Sequence, residues 1–492
     1  MTEPLIPNDL IEPQRIEEEN KKEEIVDNNN ENIKIEEEIK EKEENKPITE
    51  EESKKETNEV TFKDLKYKKE KRFVKLSFLI FGIGGLLAWN AILSDLDFFN
   101  YYLPKAPIKP DVIYPFMNFA LNILFQFVLI CNKKILSYKI QLLFTIIISM
   151  ITLILLPLSV ILFDFDQKLG FYLSCGVVLL QGFINAVCLS SFFGLVSYFP
   201  VENIVMLSTG QGVAGILMNV IKYITLVSLT SFDEKTQNII GTLIFFSISA
   251  VIMFICFIFV LLVYKNQYFI DVLRSTDENP EKQRTTVSDE IADVSALVSD
   301  SSASERTAPK TFIKEAEEGS FCNLIKSLID INILIFVMYT TTFTVYPSAC
   351  LTPALFDLPM NWKPNTFITI FNVVDTLGRN MLNCIKPRKG LLYTLTMVRI
   401  LLIATLPLNV YLDTHGYNSS YCSLFLVFNV VFLAITNGLC TSLAFAIAPT
   451  MVEDNMKGKA GSSVGFFNIV GIFTGTCTAF GMNALLQKIS KL

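Results

Sequence analysis

The residues best suited to bind a polar ligand lie in one apolar stretch, FNVVDTLGRN at residues 371–380. Asp375 and Arg379 are four residues apart and Asn372 precedes Asp375 by three, so a helix places all three on one face. Ile368, one turn earlier, falls on the same stripe of about 100°. Charged side chains are costly inside a membrane, so such a seam must face a cavity or another helix. We expect it to line a cavity; the alternative is an ion pair that only holds this helix to a neighbour.

Two further positions interrupt apolar stretches and could meet a planar ligand. Trp89, one of two tryptophans, shares a helical face with Leu86 and Leu93, and its ring could stack on a flat molecule. The alternative for Trp89 is a place in the aromatic belt where a membrane meets water. Gln181 lies in the middle of its apolar stretch and could hydrogen-bond either a ligand edge or another helix.

Other chemistry finds little support in the sequence. His415 is the only histidine, and the ten cysteines form no CxxC pair, which argues against a zinc site or a histidine-based catalytic triad. The sequence has no GxxxxGK[ST] phosphate loop, dinucleotide fingerprint, GxSxG elbow or HExxH motif. We therefore expect neither an enzyme nor a cofactor.

The elements that must position these side chains are long apolar stretches. The chain is 51% hydrophobic and only 18% charged, against roughly 25% charged for a soluble protein. Stretches of about 20 apolar residues can cross ~30 Å of hydrocarbon, and eleven such spans occur from residue 73 onward. They are predicted near residues 73–94, 111–131, 140–163, 170–198, 201–230, 238–264, 329–352, 364–384, 391–412, 421–449 and 459–486.

The polar segments divide the chain into four parts. Residues 1–72 are acidic, with 21 acidic and nine basic side chains in residues 1–60 alone, and we expect a disordered cytoplasmic tail. Glu–Lys pairs four residues apart leave a short solvated helix as the alternative. Residues 73–264 hold spans one to six, and residues 329–487 hold spans seven to eleven. The Ser-, Thr- and acid-rich residues 265–328 are predicted to be a cytoplasmic linker, either simply flexible or a regulatory loop that is phosphorylated.

Loop charges indicate the orientation in the membrane. Basic side chains concentrate before the first span and after the second, eighth and tenth spans, which an eleven-helix count puts on one side. That side is predicted to be cytoplasmic, with the N-terminus inside the cell and the C-terminus outside. The glycosylation sequon at Asn418 falls on the predicted outer side. The plasma membrane is the default expectation, because the N-terminal segment resembles neither a cleavable signal nor an organellar presequence.

Taken together, these segments resemble the equilibrative nucleoside transporter family. The similar positions occur in the family's order over roughly residues 73–487, and the six-plus-five division with a large intervening loop resembles its architecture. Ala88 stands where the family usually has proline. The resemblance rests on Gly82-x-Gly84-x-x-Leu87-x-Trp89-Asn90, Gln181-Gly182, Gly210-Gln211-Gly212-x-Ala214-Gly215, Phe371-Asn372-x-x-Asp375-x-x-Gly378-Arg379, Thr436-Asn437-Gly438, and Gly465-Phe466-Phe467 followed by Gly471.

The resemblance implies an all-α polytopic bundle of the major-facilitator-like class with a central site between its two halves. Gln181 would hydrogen-bond the nucleobase, and Asp375 and Arg379 would bond the ribose hydroxyls. Vicinal hydroxyls can donate to a carboxylate and accept from a guanidinium, which are the stronger, charge-assisted bonds. From the first span, the lining side chains would be Leu86, Trp89 and Leu93.

The expected function is a membrane carrier for nucleosides or nucleobases that works by alternating access. Its partners would be that small molecule and the lipid bilayer, and no nucleic acid. An arginine beside Asp375 favours the charged carboxylate, which favours facilitated diffusion over proton coupling. The alternatives are a proton-coupled carrier, a carrier of another polar solute such as a sugar, and a non-transporting receptor or scaffold.

Overall fold

The computed structural model describes residues 50–131, 137–229, 233–277, 320–351, 363–417 and 419–489, and its regular structure is helical throughout these ranges. The chain divides at Lys68 into two units, and the second, residues 69–492, contains the helical bundle. The helices are α1 (Glu50–Ser94), α2 (Leu96–Tyr102), α3 (Pro110–Cys131), α4 (Tyr138–Ile161), α5 (Gln167–Val196), α6 (Val201–Ser228), α7 (Glu234–Val263), α8 (Gln267–Asp277), α9 (Ser320–Leu351), α10 (Lys363–Asn380), α11 (Lys389–Ile400), α12 (Leu402–Thr414), α13 (Ser419–Ile447) and α14 (Lys457–Ile489).

Among the described residues, ten helical segments are long and apolar enough to cross a bilayer. They coincide with ten of the eleven predicted spans. The eighth predicted span is also a helix, α10, but its 18 residues include the polar seam and fall short of the same apolar standard. The all-helical, polytopic fold class is therefore confirmed.

The outside of the bundle is apolar, as contact with lipid requires. On α4, for example, Ile147, Ile151 and Ile154 follow one another at helical spacing and are all exposed. Exposed apolar surfaces of this extent are unusual in water-soluble monomers. The interior, in contrast, holds many of the polar side chains, which is the arrangement expected of a protein dissolved in hydrocarbon.

Three boundaries differ from the sequence-based expectation. Helix α1 begins at Glu50, so residues 50–72, expected to be disordered, continue the first span as a helix. No proline or glycine lies between Glu50 and Gly82, and Glu–Lys pairs four apart favour a solvated helix there. The predicted linker begins as α8 and ends in α9, while residues 278–319 lie outside the described ranges. The ninth predicted span is divided at Leu401 into α11 and α12.

The bundle has two ends, defined here by contacts between helix termini. At the entry face, where α1 enters the bundle, the backbone N–H of Tyr268 donates to Glu70 at 3.2 Å, and Lys75 pairs with Glu202 at 3.1 Å. At the opposite exit face, Lys235 pairs with Asp164 at 3.2 Å. The entry face is the side that the loop charges predict to be cytoplasmic.

Helices α1–α7 form the N-terminal half of the bundle and α9–α14 the C-terminal half. The halves meet where α3 and α5 contact α14 and where α6 contacts α10 and α13. At the first contact, the rings of Phe116 and Phe473 lie 5.6 Å apart. At the second, α6 presents Gly212, where a Cβ would lie 2.3 Å from the Thr376 hydroxyl, so the two backbones approach closely.

Candidate functional site

The polar seam of α10 is buried and internally paired. Asp375 and Arg379 are 4% and 5% exposed, and Arg379 Nε donates to Asp375 Oδ2 at 2.7 Å. Asn372 and Ile368, one and two turns away, are half-buried. A Cβ on Gly215 of α6 would lie 2.7 Å from Asn372 Nδ2. Helix α6 therefore passes directly over the seam that the sequence predicted.

Helix α13 supplies a second donor to the carboxylate. Asn437 Nδ2 donates to Asp375 Oδ1 at 2.7 Å. The backbones can approach this closely because Gly438 has no Cβ, which would overlap the Asp375 carbonyl oxygen. Both oxygens of the carboxylate accept a hydrogen bond, which is the pattern expected of its ionised form.

Helix α6 ties the same cluster to the N-terminal half. Arg379 Nη1 lies 3.2 Å from the carbonyl oxygen of Ser208, 3.1 Å from its hydroxyl and 3.1 Å from Gln211 Oε1. The hydroxyl of Ser442 on α13 donates to that of Ser208 at 2.9 Å. The guanidinium therefore bonds to the Asp375 side chain in the C-terminal half and to side chains and backbone of α6 in the N-terminal half at once.

A second buried arginine, which the sequence analysis did not single out, adjoins this cluster. Arg399 of α11 is fully buried, and its Nη1 donates to Leu433 O at 2.9 Å and to Thr436 Oγ1 at 2.6 Å. Its Nη2 bonds to Thr342 Oγ1 and lies 3.5 Å from Asn437 Oδ1. The available signal was a lone arginine within an apolar span.

These contacts connect two guanidinium groups to one carboxylate. Asn437 Oδ1 accepts from Thr342 at 2.9 Å and faces Arg399, which leaves its NH₂ group directed at Asp375. Within the described residues, Arg399 makes no ion pair with an acidic side chain, and its Nε has no hydrogen-bond partner. The cluster around Asp375 therefore carries more positive than negative charge.

The predicted lining residues of α1 differ in how far they are buried. Trp89 is 8% exposed, and its ring meets that of Phe119 on α3 edge-on, with centroids 4.8 Å apart. Leu86 is half-buried, and Leu93 is 38% exposed. The Trp89 ring is therefore packed against α3 inside the bundle. A tryptophan of an interfacial belt would instead be exposed at the outer surface.

Gln181 of α5 is fully engaged with its own half. It is 1% exposed and accepts from Thr152 Oγ1 at 2.5 Å. Its NH₂ group donates to Asn185 Oδ1 at 2.9 Å and to Ser149 Oγ at 3.3 Å. The structure thus brings Asn372, Asp375 and Arg379 together on α10, whereas the hydrogen bonds of Gln181 all lie within α4 and α5.

A second buried ion pair lies near the exit face. Asp95, between α1 and α2, bonds to Lys222 of α6 and accepts from the Thr242 hydroxyl of α7 at 2.6 Å. Burial raises the pKa of the Asp95 carboxyl, against the attraction of Lys222. Three helices of the N-terminal half are joined at this point, which is consistent with a scaffold role.

The described ranges bear on two further sequence-based expectations, the glycosylation site and metal binding. Asn418, the predicted glycosylation site, lies outside the described residues. Within the described residues, no three His, Cys, Asp or Glu side chains lie close enough to hold a metal ion.

Comparison with known proteins gives a consistent result. A family profile described as "Nucleoside transporter" matches residues 175–484. Equilibrative nucleotide transporter 1 of Arabidopsis thaliana is 21% identical over 411 residues, which are 83% of this chain and 85% of the plant protein. Equilibrative nucleoside transporter 2 of Mus musculus is 24% identical over 453 residues, covering 84% and 97%. The solved major facilitator superfamily proton:xylose symporter XylE has a TM-score of 0.58 at 11% identity, covering 84% of this chain and 88% of its own, which establishes likeness of fold.

Proposed function

The chain belongs to the nucleoside transporter family, and from that premise we propose that it is a passive nucleoside carrier whose central site is built around Asp375 and Arg379. The observation that supports this proposal most directly is the position of the Asp375–Arg379 pair. It is buried, it is charged, and it bonds to both halves of a major-facilitator-like bundle. A ligand that binds there contacts both halves, as alternating access requires.

The pair matches the chemistry of a ribose. Vicinal hydroxyls are donors and acceptors, so one hydroxyl can donate to Asp375 while accepting from Arg379, in charge-assisted bonds. Ser208 and Gln211 supply Arg379 with neutral oxygen acceptors. Sugar hydroxyls are oxygen acceptors of the same kind, so they can take their place without leaving the guanidinium unpaired.

The other lining positions belong to the same proposal. Ile368 and Asn372 would line the site from α10, and Gln181 would bond the base after exchanging one of its present partners. Trp89 offers an aromatic face or edge to a planar base. From α1, the proposed lining residues are Leu86, Trp89 and Leu93.

Passive transport is favoured by the occupancy of the carboxylate. Each oxygen of Asp375 already accepts a hydrogen bond, from Arg379 and from Asn437. Protonation would weaken both of these bonds, because a neutral carboxyl is a poorer acceptor than a carboxylate, and it would leave Arg379 without its counter-charge. We therefore infer that Asp375 stays ionised during the cycle and does not carry a proton.

Uptake into proteoliposomes tests the function directly. Purified protein is given labelled adenosine or uridine, with and without an inward proton gradient. We expect saturable uptake that stops at equal concentrations, is blocked by unlabelled nucleosides and not by hexoses, and ignores the gradient. Accumulation above equilibrium would overturn passive transport, and hexose-sensitive uptake would point to a sugar carrier. Absence of any uptake by folded protein would favour a receptor or scaffold.

Replacement of Asp375 tests the site. Asp375→Ala should reach the membrane yet lose at least about tenfold in nucleoside uptake, because a charge-assisted hydrogen bond contributes roughly 1.5–3 kcal/mol. The control is Asp164→Ala, which removes an exposed carboxylate paired with Lys235 at the exit face. Normal uptake kinetics in the Asp375 variant would refute its role in ribose binding.

A further inference from the structure

Helix α3 carries a stripe of amide side chains that no role described above uses. Tyr114, Asn118, Asn122 and Gln126 follow one another every four residues and therefore share one face of the helix. All four are at most 2% exposed. Three of the four end in an amide, a group that both donates and accepts hydrogen bonds. We call Asn118, Asn122 and Gln126 the amide stripe.

The amide stripe faces the junction of the two halves. The Tyr114 hydroxyl donates to Ser174 of α5 at 2.6 Å, and a Cβ on Gly182 of α5 would lie 2.5 Å from the backbone oxygen of Asn118. Toward the entry face, Gln126 Oε1 lies 3.9 Å from where a Cβ of Gly465 on α14 would be. The stripe therefore approaches α14 of the C-terminal half at Gln126 and α5 of the N-terminal half at Asn118, and α3 as a helix contacts both.

The stripe has unused hydrogen-bonding capacity. Gln126 Nε2 donates to Asn122 Oδ1 at 2.8 Å, but Gln126 Oε1 has no partner among the described residues. Neither amide atom of Asn118 has one, and on the facing helix α14 the same holds for Asn468 Oδ1. Buried polar atoms without partners are costly. Several of them on two helices that contact each other, α3 and α14, point to a ligand or water that is bound there in use.

We propose that the amide stripe, led by Asn118, binds the hydrogen-bonding edge of the nucleobase. This inference rests on the proposed nucleoside carrier and names the residues that would select its base. An asparagine amide presents one donor and one acceptor side by side, which matches the paired donor and acceptor on a base edge. Phe119, the residue against which Trp89 packs, directly follows Asn118 on the same turn of α3.

The comparison with Gln181 supports the choice of Asn118. The two side chains lie on neighbouring helices, since Gly182 follows Gln181 and contacts Asn118. Gln181 uses both amide atoms on α4 and α5, whereas Asn118 uses neither within the described residues. A base can therefore bond to Asn118 without breaking any existing hydrogen bond, and the net gain is larger.

The test measures base discrimination in proteoliposomes. Uptake of adenosine is compared with that of purine riboside, which lacks the 6-amino group, in the wild type and in Asn118→Leu. We expect the wild type to prefer adenosine by about three- to tenfold in KM, the range of a single neutral hydrogen bond. Asn118→Leu should bring that ratio close to one, because it raises the KM for adenosine more than the KM for purine riboside, which loses only the bond to its ring nitrogen. If only pyrimidine nucleosides are carried, cytidine and its analogue without the 4-amino group replace the purine pair.

A matched control separates recognition from packing. Asn409 of α12 is likewise 1% exposed with both amide atoms unpartnered among the described residues, but it lies inside the C-terminal half. Asn409→Leu should leave the discrimination ratio unchanged. If Asn118→Leu fails to fold, Gln126→Met removes the next unpartnered amide oxygen of the stripe and should lower the same ratio.

The outcomes are distinct. An unchanged ratio in folded Asn118→Leu, or a wild type that does not distinguish the two nucleosides, would overturn the base-edge role while leaving the carrier intact. An equal change in Asn409→Leu would also overturn it, because the effect would then belong to any buried amide. A wild type that takes up no nucleoside at all would refute the proposed function instead.

Discussion

Asn437 fixes the direction in which hydrogen bonds run between Arg399 and Asp375. Its carbonyl oxygen faces Thr342 and Arg399, and its NH₂ group donates to Asp375 at 2.7 Å. If the amide were reversed, two donors would face Arg399 and an acceptor would face a carboxylate. Arg399 is therefore a positioning residue for the proposed ribose site, although it makes no hydrogen bond to Asp375 itself.

Substitution of Arg399 tests this positioning role. Arg399→Lys keeps the charge, but a single ammonium cannot span Leu433 O, Thr436 and Thr342 as the planar guanidinium does. We expect the KM for nucleosides to rise about tenfold, with folded protein recovered from the membrane. Arg388→Lys, at an exposed position just before α11, is the control. Unaltered kinetics in the Arg399 variant would mean that Asn437 holds its direction without it.

At this scale, the sequence predicted side chains that act within one helix and missed those that act between helices. The four-residue spacing of Asp375 and Arg379 was enough to predict their ion pair, since helix geometry alone brings them together. Ser208 is 171 positions from Arg379, and no local rule connects the two. The amide stripe was visible as a four-residue repeat, but its unpartnered atoms depend on which helices surround it.

Among the elements, α10 and α13 pack closely enough that their glycines determine where Asp375 lies. A Cβ on Gly378 would overlap the carbonyl oxygen of Ile435, and one on Gly438 would overlap that of Asp375. Small residues at helix contacts allow such approach in membranes. The hydrogen bond from Asn437 to Asp375 depends on this short separation, because Asn437 directly precedes Gly438.

Adding a methyl group at this contact should displace the carboxylate. Gly438→Ala is expected to cost roughly 1–3 kcal/mol through overpacking and to reduce nucleoside uptake strongly. Gly481→Ala on α14 is the control, since a Cβ there meets nothing within 4 Å and alanine favours a helix over glycine. Thermal melting in detergent and uptake in vesicles are measured for both. Equal behaviour of the two variants would contradict the role of the close contact.

Span positions could be predicted from apolar length because the bilayer imposes that length on every helix. The exceptions have identifiable physical causes. Helix α10 is less apolar than the other spans because it carries the polar seam of Asn372, Asp375 and Arg379. The start of α1 at Glu50 was missed because a charged sequence is compatible with both disorder and a solvated helix. The break at Leu401 has no proline or glycine at that position, so the residue itself gives no signal that the helix is divided there.

For the whole molecule, contacts between the halves close the entry face. The rings of Phe193 on α5 and Phe445 on α13 stack with centroids 3.7 Å apart, and the hydroxyls of Ser190 and Ser462 lie 3.1 Å apart. Alternating access requires that these contacts separate when the site opens toward this face. The two halves would move as bodies about the central cluster.

A reversible cross-link tests this motion. The double variant Ser190→Cys with Ser462→Cys should transport under reducing conditions and stop when oxidised, because a disulfide holds α5 and α14 together. A reductant should restore uptake, and each single variant should be insensitive to the oxidant. Full uptake by demonstrably cross-linked protein would contradict opening at the entry face.

Orientation in the membrane is tested at Asn418. If the entry face is cytoplasmic, the loop before α13 is extracellular and Asn418 should carry a glycan in a eukaryotic host. Asn418→Gln should then increase electrophoretic mobility, as enzymatic deglycosylation does for the wild type. Protease protection that maps this loop to the cytoplasm would reverse the predicted topology.

The bonds from Arg379 to Ser208 and Gln211 have a consequence for the timing of transport. They join α10 to α6 across the two halves, so a protein without substrate must break them, with no hydroxyl to replace them, each time it returns across the membrane. A nucleoside that replaces them supplies its own hydroxyls to Arg379, so the loaded protein avoids that cost. Return of the empty carrier should then limit the cycle. Unlabelled nucleoside on the side that receives the labelled nucleoside should therefore accelerate transport of the label. The same arginine would thus make the protein a faster exchanger than a net transporter.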